Sequence, residues 1–217
     1  MRAAFDMQLD NLKNEMILAS ALCENYIKEV SNSLIYKDLN EISGLKKFEG
    51  EVSNKEKLIE NICLTIFLQQ QPVANDLRTV TTALKMITDI RRISDHSGEI
   101  VEIIETGNVK LNHSETLKKM IETVLEMVNK SIDAYVKKDM ELAKQIIKKD
   151  DIVDEYFEQM TGEVIDNLKK QNQKVKQNLD LFIIAKYYER IADHCVNIAI
   201  WVCFLVTGKI EDEKKLS

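Results

Sequence analysis

One proline, Pro72, interrupts 217 residues, and only six glycines accompany it. Chain reversals draw heavily on these two residue types, so a sandwich or barrel with a turn at about every ten residues is not what this chain encodes. Long, rarely interrupted helices remain. Apolar residues make up 45% and charged residues 30%, enough to bury a core beneath a solvated surface and too apolar for global disorder. No GxGxxG or GxxxxGK[ST] run occurs, which removes the glycine-cradled nucleotide sites.

The apolar residues recur with the 3.6-residue period of helices. Phe5, Leu9, Leu12, Met16, Ala19, Cys23, Tyr26 and Val30 step by three, four or seven along a first helix from about Ala3 to Tyr36. A second runs from about Leu39 to Gln70, carrying Leu45, Val52, Ile59, Ile62 and Ile66. Pro72, after Gln69-Gln70-Gln71, cannot continue a helix interior and marks a helix–helix turn. The third helix spans about Val73–Glu105 and ends at Gly107-Asn108, where glycine suits a left-handed helix end. Ser114 can cap a fourth helix reaching Lys137, with Glu115 in its first turn. A fifth spans about Met140–Lys169 and a sixth about Lys174–Val206, followed by Gly208 and a charged tail. The expected fold is all-α, six long helices in two tandem three-helix bundles, divided as residues 1–107 and 108–217.

That division rests on an internal repeat. DIRRISDHSGEI (Asp89–Ile100) aligns with YYERIADHCVNI (Tyr187–Ile198) at an offset of 98 residues. Arg92/Arg190, Ile93/Ile191, Asp95/Asp193, His96/His194 and Ile100/Ile198 are identical, where chance gives roughly one match. Upstream, Lys37-Asp38 over Lys138-Asp139 and Val52 over Val153 agree at an offset of 101.

The formal net charge is −6, which disfavours nucleic acid as a partner, since phosphates demand a basic footprint. Cys23, Cys63, Cys195 and Cys203 form no CxxC and no zinc spacing with histidine, and point to a reducing compartment, the cytoplasm. The opening MRAAFDMQLDNLKNE lacks the apolar run of a secretory signal. The longest uninterrupted apolar stretch, Ile198–Val206, is expected to be too short to cross a bilayer.

Candidate chemistry resides in carboxylates. Glu189 and Asp193, four apart, share one helical face, roughly opposite Ile184, Ile191, Ile198, Val202 and Leu205. Asp150 and Asp154 form a second such pair on the fifth helix, with Asp151, Glu155 and Glu158 close by. Paired carboxylates repel, and a hard cation reverses that cost. Chance alone gives roughly six acidic pairs at this spacing, so the repeated Asp95 and Asp193 weigh more than any pair. His96 and His194 follow those aspartates as orienting or packing residues. His113 reads as a surface residue. No nucleophile elbow occurs, and Glu-x-x-x-Asp-His is not the Glu-x-x-His of buried di-iron bundles.

Five stretches resemble the PhoU family: FDMQLDNLKNEMILA (Phe5–Ala19), LQQQPVANDLR (Leu68–Arg78), ALKMITDIRRISDH (Ala83–His96), KKDMELAKQIIKKDDIVDEYF (Lys137–Phe157) and YYERIADHCVNIAIWVCFLVTG (Tyr187–Gly208). They cover nearly the whole chain in order. The resemblance implies two similar three-helix bundles, metal ions held by E(D)xxxD motifs on outer helical faces, and a dimer. It implies negative regulation of the phosphate regulon and modulation of phosphate uptake. The implied partners are an ABC-type phosphate transporter with its ATPase and a phosphate-sensing histidine kinase, so that membrane association runs through partners alone. Carried over, the metal residues are Glu189, Asp193, Asp150, Asp154 and Asp95. The first repeat departs from the motif, with Arg91 where an acid is expected and Ser53 in place of a second acid after Glu49. The cation at Arg91 is expected to repel a metal, leaving the first repeat weak or empty. Iron, zinc, manganese and magnesium all accept such ligands.

Three functional readings follow. The first is a regulatory adaptor without catalysis. The second is a metal-dependent hydrolase using the surface carboxylate pairs. The third is a structural helical module whose acids serve solubility.

Overall fold

The computed structural model describes residues 2–36, 42–107, 114–170 and 175–210, and among them every regular element is a helix. The elements are α1 (Arg2–Tyr36), α2 (Ile42–Gln70), α3 (Ala74–Thr106), α4 (Glu115–Lys137), α5 (Met140–Lys169) and α6 (Val175–Thr207). Lys37, Asp38, Leu39, Asn108, His113 and Lys174, all used in the reading above, lie outside the described residues.

Local chemistry explains most of the helix ends. Ser114 Oγ accepts the Leu117 N–H at 3.1 Å and starts α4. Asp139 Oδ1 accepts the Leu142 N–H at 3.0 Å and starts α5. Lys138, between the two, takes the left-handed conformation (φ 52°), which turns the chain without a glycine. Pro72 sits in the break between α2 and α3. Gly107 corrects the expectation placed on it. It is extended (φ −98°, ψ 161°), and its N–H reaches Ile103 O at 2.8 Å without any left-handed turn. The left-handed glycine is Gly208 (φ 73°), which ends α6. Arg78 packs there so closely that a Cβ on residue 208 would come within 2.6 Å of its Nη1.

α1, α2 and α3 pack on one another, as do α4, α5 and α6, and α3 against α6 with α1 against α4 joins the triplets. Within each triplet consecutive helices run antiparallel. Gln8 meets Gln70 while Tyr26 stacks on Phe48, and Thr116 meets Glu163 while Glu126 meets Lys149. The apolar stripes are buried. Leu12, Met16, Ala19, Cys23, Tyr26 and Val30 of α1 are inaccessible or nearly so, as are Ile184, Ile191, Ile198 and Val202 of α6. Each large aliphatic side chain buried this way contributes about 1.5–3 kcal/mol of transfer free energy.

α6 calls for a second correction. Counting only the unbroken run Ile198–Val206 understates it, since the whole helix is long and apolar enough, with a window of mean hydropathy 1.4, to cross a membrane by length and composition. Half of that window is buried within the protein, as befits a helix packed against α3, α4 and α5. At its centre Tyr188 and Ser31 of α1, both fully buried, share a hydrogen bond of 2.8 Å between the triplets. Tyr188→Phe should cost about 1 kcal/mol and lower the thermal midpoint by about 2–4 °C, measured by calorimetry.

Candidate functional site

The antiparallel course of α5 and α6 brings acids from both helices to one seam. Phe157 meets Phe182 with ring centroids 5.6 Å apart. One turn earlier on α5, Asp154 faces the stretch of α6 that carries Glu189 and Asp193, and each aspartate feels the Glu189 charge. Asp150 lies one turn before Asp154, and its charge reaches the buried Cys195 thiol. Asp154 and Asp193 are exposed to solvent. Glu189 is not, retaining 15% side-chain exposure.

Electrostatics mark this seam as short of cations. The Asp154 carboxyl is raised above its ordinary range by burial, then by Glu189 and Asp151, with Lys186 opposing. Asp193 is raised by burial, then by Glu189, again with Lys186 opposing and Asp154 adding to the rise. Lys186, missed by the sequence reading, donates to Glu189 Oε1 at 2.5 Å and lies over the Phe157 ring, 5.0 Å from its centroid. Glu189 Oε2 is buried with no hydrogen-bond partner. Among the described residues no three His, Cys, Asp or Glu side chains stand ready-arranged around one ion position. The donor set nevertheless suits a hard cation, for it holds three carboxylates, one with an unpartnered buried oxygen.

The equivalent seam of the first triplet is built differently. Arg91 stands on α3 at the register of Glu189 and is ringed by acids. Its guanidinium pairs with Asp95 on its own helix, with Glu56 at 3.6 Å and with Glu49 at 3.8 Å, both on α2. Arg92 adds a contact to Asp95 at 3.7 Å. Asp95 is therefore enclosed by guanidinium groups, and this donor set does not fit a metal ion. Glu56 escaped the sequence reading because it lies two turns from Glu49. Its carboxyl is raised chiefly by burial and then by Glu60, with Arg91 opposing.

His96 and His194 pack between the triplets. His96 stacks on Tyr187 (5.5 Å) and on His194 (5.6 Å). His194 Nδ1 lies 2.9 Å from Asp89 Oδ1, to which Asn197 also donates at 3.3 Å. At the offset of 98, Asp89 corresponds to Tyr187 and His96 to His194, so these two contacts are one contact repeated about a pseudo-twofold. Burial first, then the His194 charge, lowers the His96 pKa. The four cysteines are buried and outside any disulfide, and burial pushes the Cys23 and Cys63 thiols up to about 12, far from nucleophilic character.

A carboxyl that binds its proton more tightly folded than unfolded costs stability at neutral pH, and that cost vanishes as pH falls through the carboxylate range. In chelator, Asp193→Asn should therefore stabilise the protein at pH 7 by about 0.5 kcal/mol. The gain should shrink as pH approaches the ordinary aspartate value of 3.8, read from melting curves across pH.

Comparison with known proteins places this geometry in context. The family model for the PhoU domain matches twice, over residues 17–104 and 117–202. A phosphate-specific transport system accessory protein PhoU homolog of Clostridium acetobutylicum is 30% identical over 97% of this chain and 98% of its own length. The crystal structure of PhoU from Pseudomonas aeruginosa superposes with a TM-score of 0.89 at 23% identity, over 94% of this chain and 100% of that one. That of the phosphate transport system regulatory protein PhoU from Streptococcus pneumoniae gives 0.87 at 24% identity, over 96% of this chain and 99% of that one. At such identities these structures speak for the fold. The doubled domain match and the full-length relative speak for kinship: the chain belongs to the PhoU family.

Proposed function

We propose that this protein is a negative regulator of the phosphate regulon and a modulator of phosphate uptake. It acts without catalysis, as a cytoplasmic adaptor between the ATPase of an ABC phosphate transporter and a phosphate-sensing histidine kinase. The observation that carries this reading is the pair of PhoU domain matches, with a relative named as a phosphate transport accessory protein that aligns end to end. Four buried cysteines outside any disulfide accord with a reducing compartment. Met7, Leu68 and Val73, each more than 70% exposed, lie near in sequence to the Gln8–Gln70 contact. The adaptor is taken to work as a homodimer that reaches the membrane through its partners alone.

A metal ion has a place in this reading as an accessory. Asp154, Glu189 and Asp193, with Asp150 beside them, would hold it in the second triplet. It would supply charge neutralisation across the α5–α6 seam, and iron, zinc, manganese and magnesium all suit carboxylate oxygen. Binding there requires Lys186 to swing away from Glu189, which its 39% exposure permits. Asp95 would contribute little.

Regulation by transporter state requires that the adaptor bind one conformation of the transporter more tightly than another. Pull-downs from native membranes, with and without phosphate, should recover the transporter ATPase and the kinase in amounts that differ with phosphate. Recovery of neither would contradict the adaptor. Titration with manganese should lose affinity at least tenfold in Glu189→Ala and remain near wild type in Asp95→Ala. Equal losses would contradict the asymmetry.

A further inference from the structure

We propose that Arg91 is a built-in counter-cation that holds the α2–α3 seam closed without any metal ion, leaving the α5–α6 seam as the one that responds to a cation. The second clause rests on the metal reading above, whereas the first stands on this chain's geometry alone.

Each seam sets three acids around one central cation, in different hands. Glu49, Glu56 and Asp95 face Arg91 in the first triplet, while Asp154, Glu189 and Asp193 face Lys186 in the second. Arg91 sits at the register where the second copy has Glu189, and Ser53 where it has Asp154. A base stands where the second copy has one acid, and a serine where it has another. Glu56, two turns beyond Glu49, restores a carboxylate that the second copy lacks, since Phe157 holds the matching position.

The geometry of the two cations differs in the way that matters. Arg91 keeps 21% side-chain exposure and contacts acids on two helices, so its charge ties α2 to α3. A guanidinium is planar, always charged and rich in donors, and it serves several carboxylates together. The Lys186 ammonium pairs with Glu189, three residues along its own helix, and that bond ties α6 to no acid of α5. Asp154 then faces Glu189 across the seam with no ion pair of its own among the described residues.

Gly98 supplies an independent sign that the first seam is built around its acids. Glu49 lies against the bare Cα of Gly98, where a Cβ would come within 2.7 Å of Glu49 Oε2 and 3.4 Å of the Tyr26 hydroxyl. The absent side chain opens a slot on α3 for the Glu49 carboxylate, two turns along the helix from Arg91. At the matching position the second copy has Val196, which fills that space.

Hydrogen exchange on the full-length protein tests this, in chelator and with manganese(II) chloride. In chelator, Arg91→Gln should exchange α2 and α3 amides about tenfold faster than wild type and leave α5 and α6 unchanged. Arg91→Lys, which keeps the charge and loses the fork, guards against a folding failure and should fall between them. Arg91→Glu, with four acids on the seam, should be the fastest in chelator and be slowed again by manganese. Wild-type α2 and α3 should ignore manganese, while α5 and α6 slow. Unchanged α2–α3 exchange in Arg91→Gln, or manganese protection of wild-type α2–α3, would overturn the built-in counter-cation. Wild-type α5–α6 amides that ignore manganese would sink the second clause and the metal reading with it, while the chelator series would still decide the role of Arg91.

Discussion

The face-to-face packing of α3 on α6 is the constraint from which the rest follows. These two helices bury Ile90, Ile93, Ile100, Ile191, Ile198 and Val202 and bring the repeated His96 and His194 to the junction between the triplets. Apolar burial supplies the stability there. The paired contacts His194–Asp89 and His96–Tyr187 supply register, because a slip of one residue would break both. With their inner faces committed to one another, α3 and α6 can offer Arg91, Asp95, Glu189 and Asp193 only along their seams with α2 and α5.

Those seams show how a duplicated scaffold can diverge. Backbone and core are shared, so a change in a few polar residues alters one half without disturbing the other. Arg91 and Gly98 remake the first seam as an ion-pair network tied across two helices. The second partly buries its acids beside one another, and burial first, then the Glu189 charge, raises the carboxyls of Asp154 and Asp193. Like charges held close cost stability that an opposite charge placed between them would recover.

Much of this was legible in the sequence, for identifiable reasons. Pro72, the apolar stripe of α1 and the capping residue Ser114 act locally, and local signals place helices well. The four-residue spacing of Glu189 and Asp193 put both on one face, and the antiparallel return of α5 delivered Asp154 to them. What stayed hidden depends on register between helices. The ion pairs of Arg91 with Glu49 and Glu56, the slot that Gly98 opens for Glu49, and the reach of Lys186 require knowing which turn of one helix lies beside which turn of the next. Gly107 misled because the helix end there is extended. The length of α6 was undervalued because an uninterrupted apolar run is a poor measure of a helix that carries a few polar residues through a core.

The most direct test of the account is anomalous diffraction from crystals soaked in manganese. The account predicts a peak against Glu189 and Asp193 on the α5–α6 seam, with the Lys186 side chain turned away from it, and none beside Arg91. A peak between Glu49 and Asp95 with Arg91 displaced, matching or exceeding that on the α5–α6 seam, would contradict it.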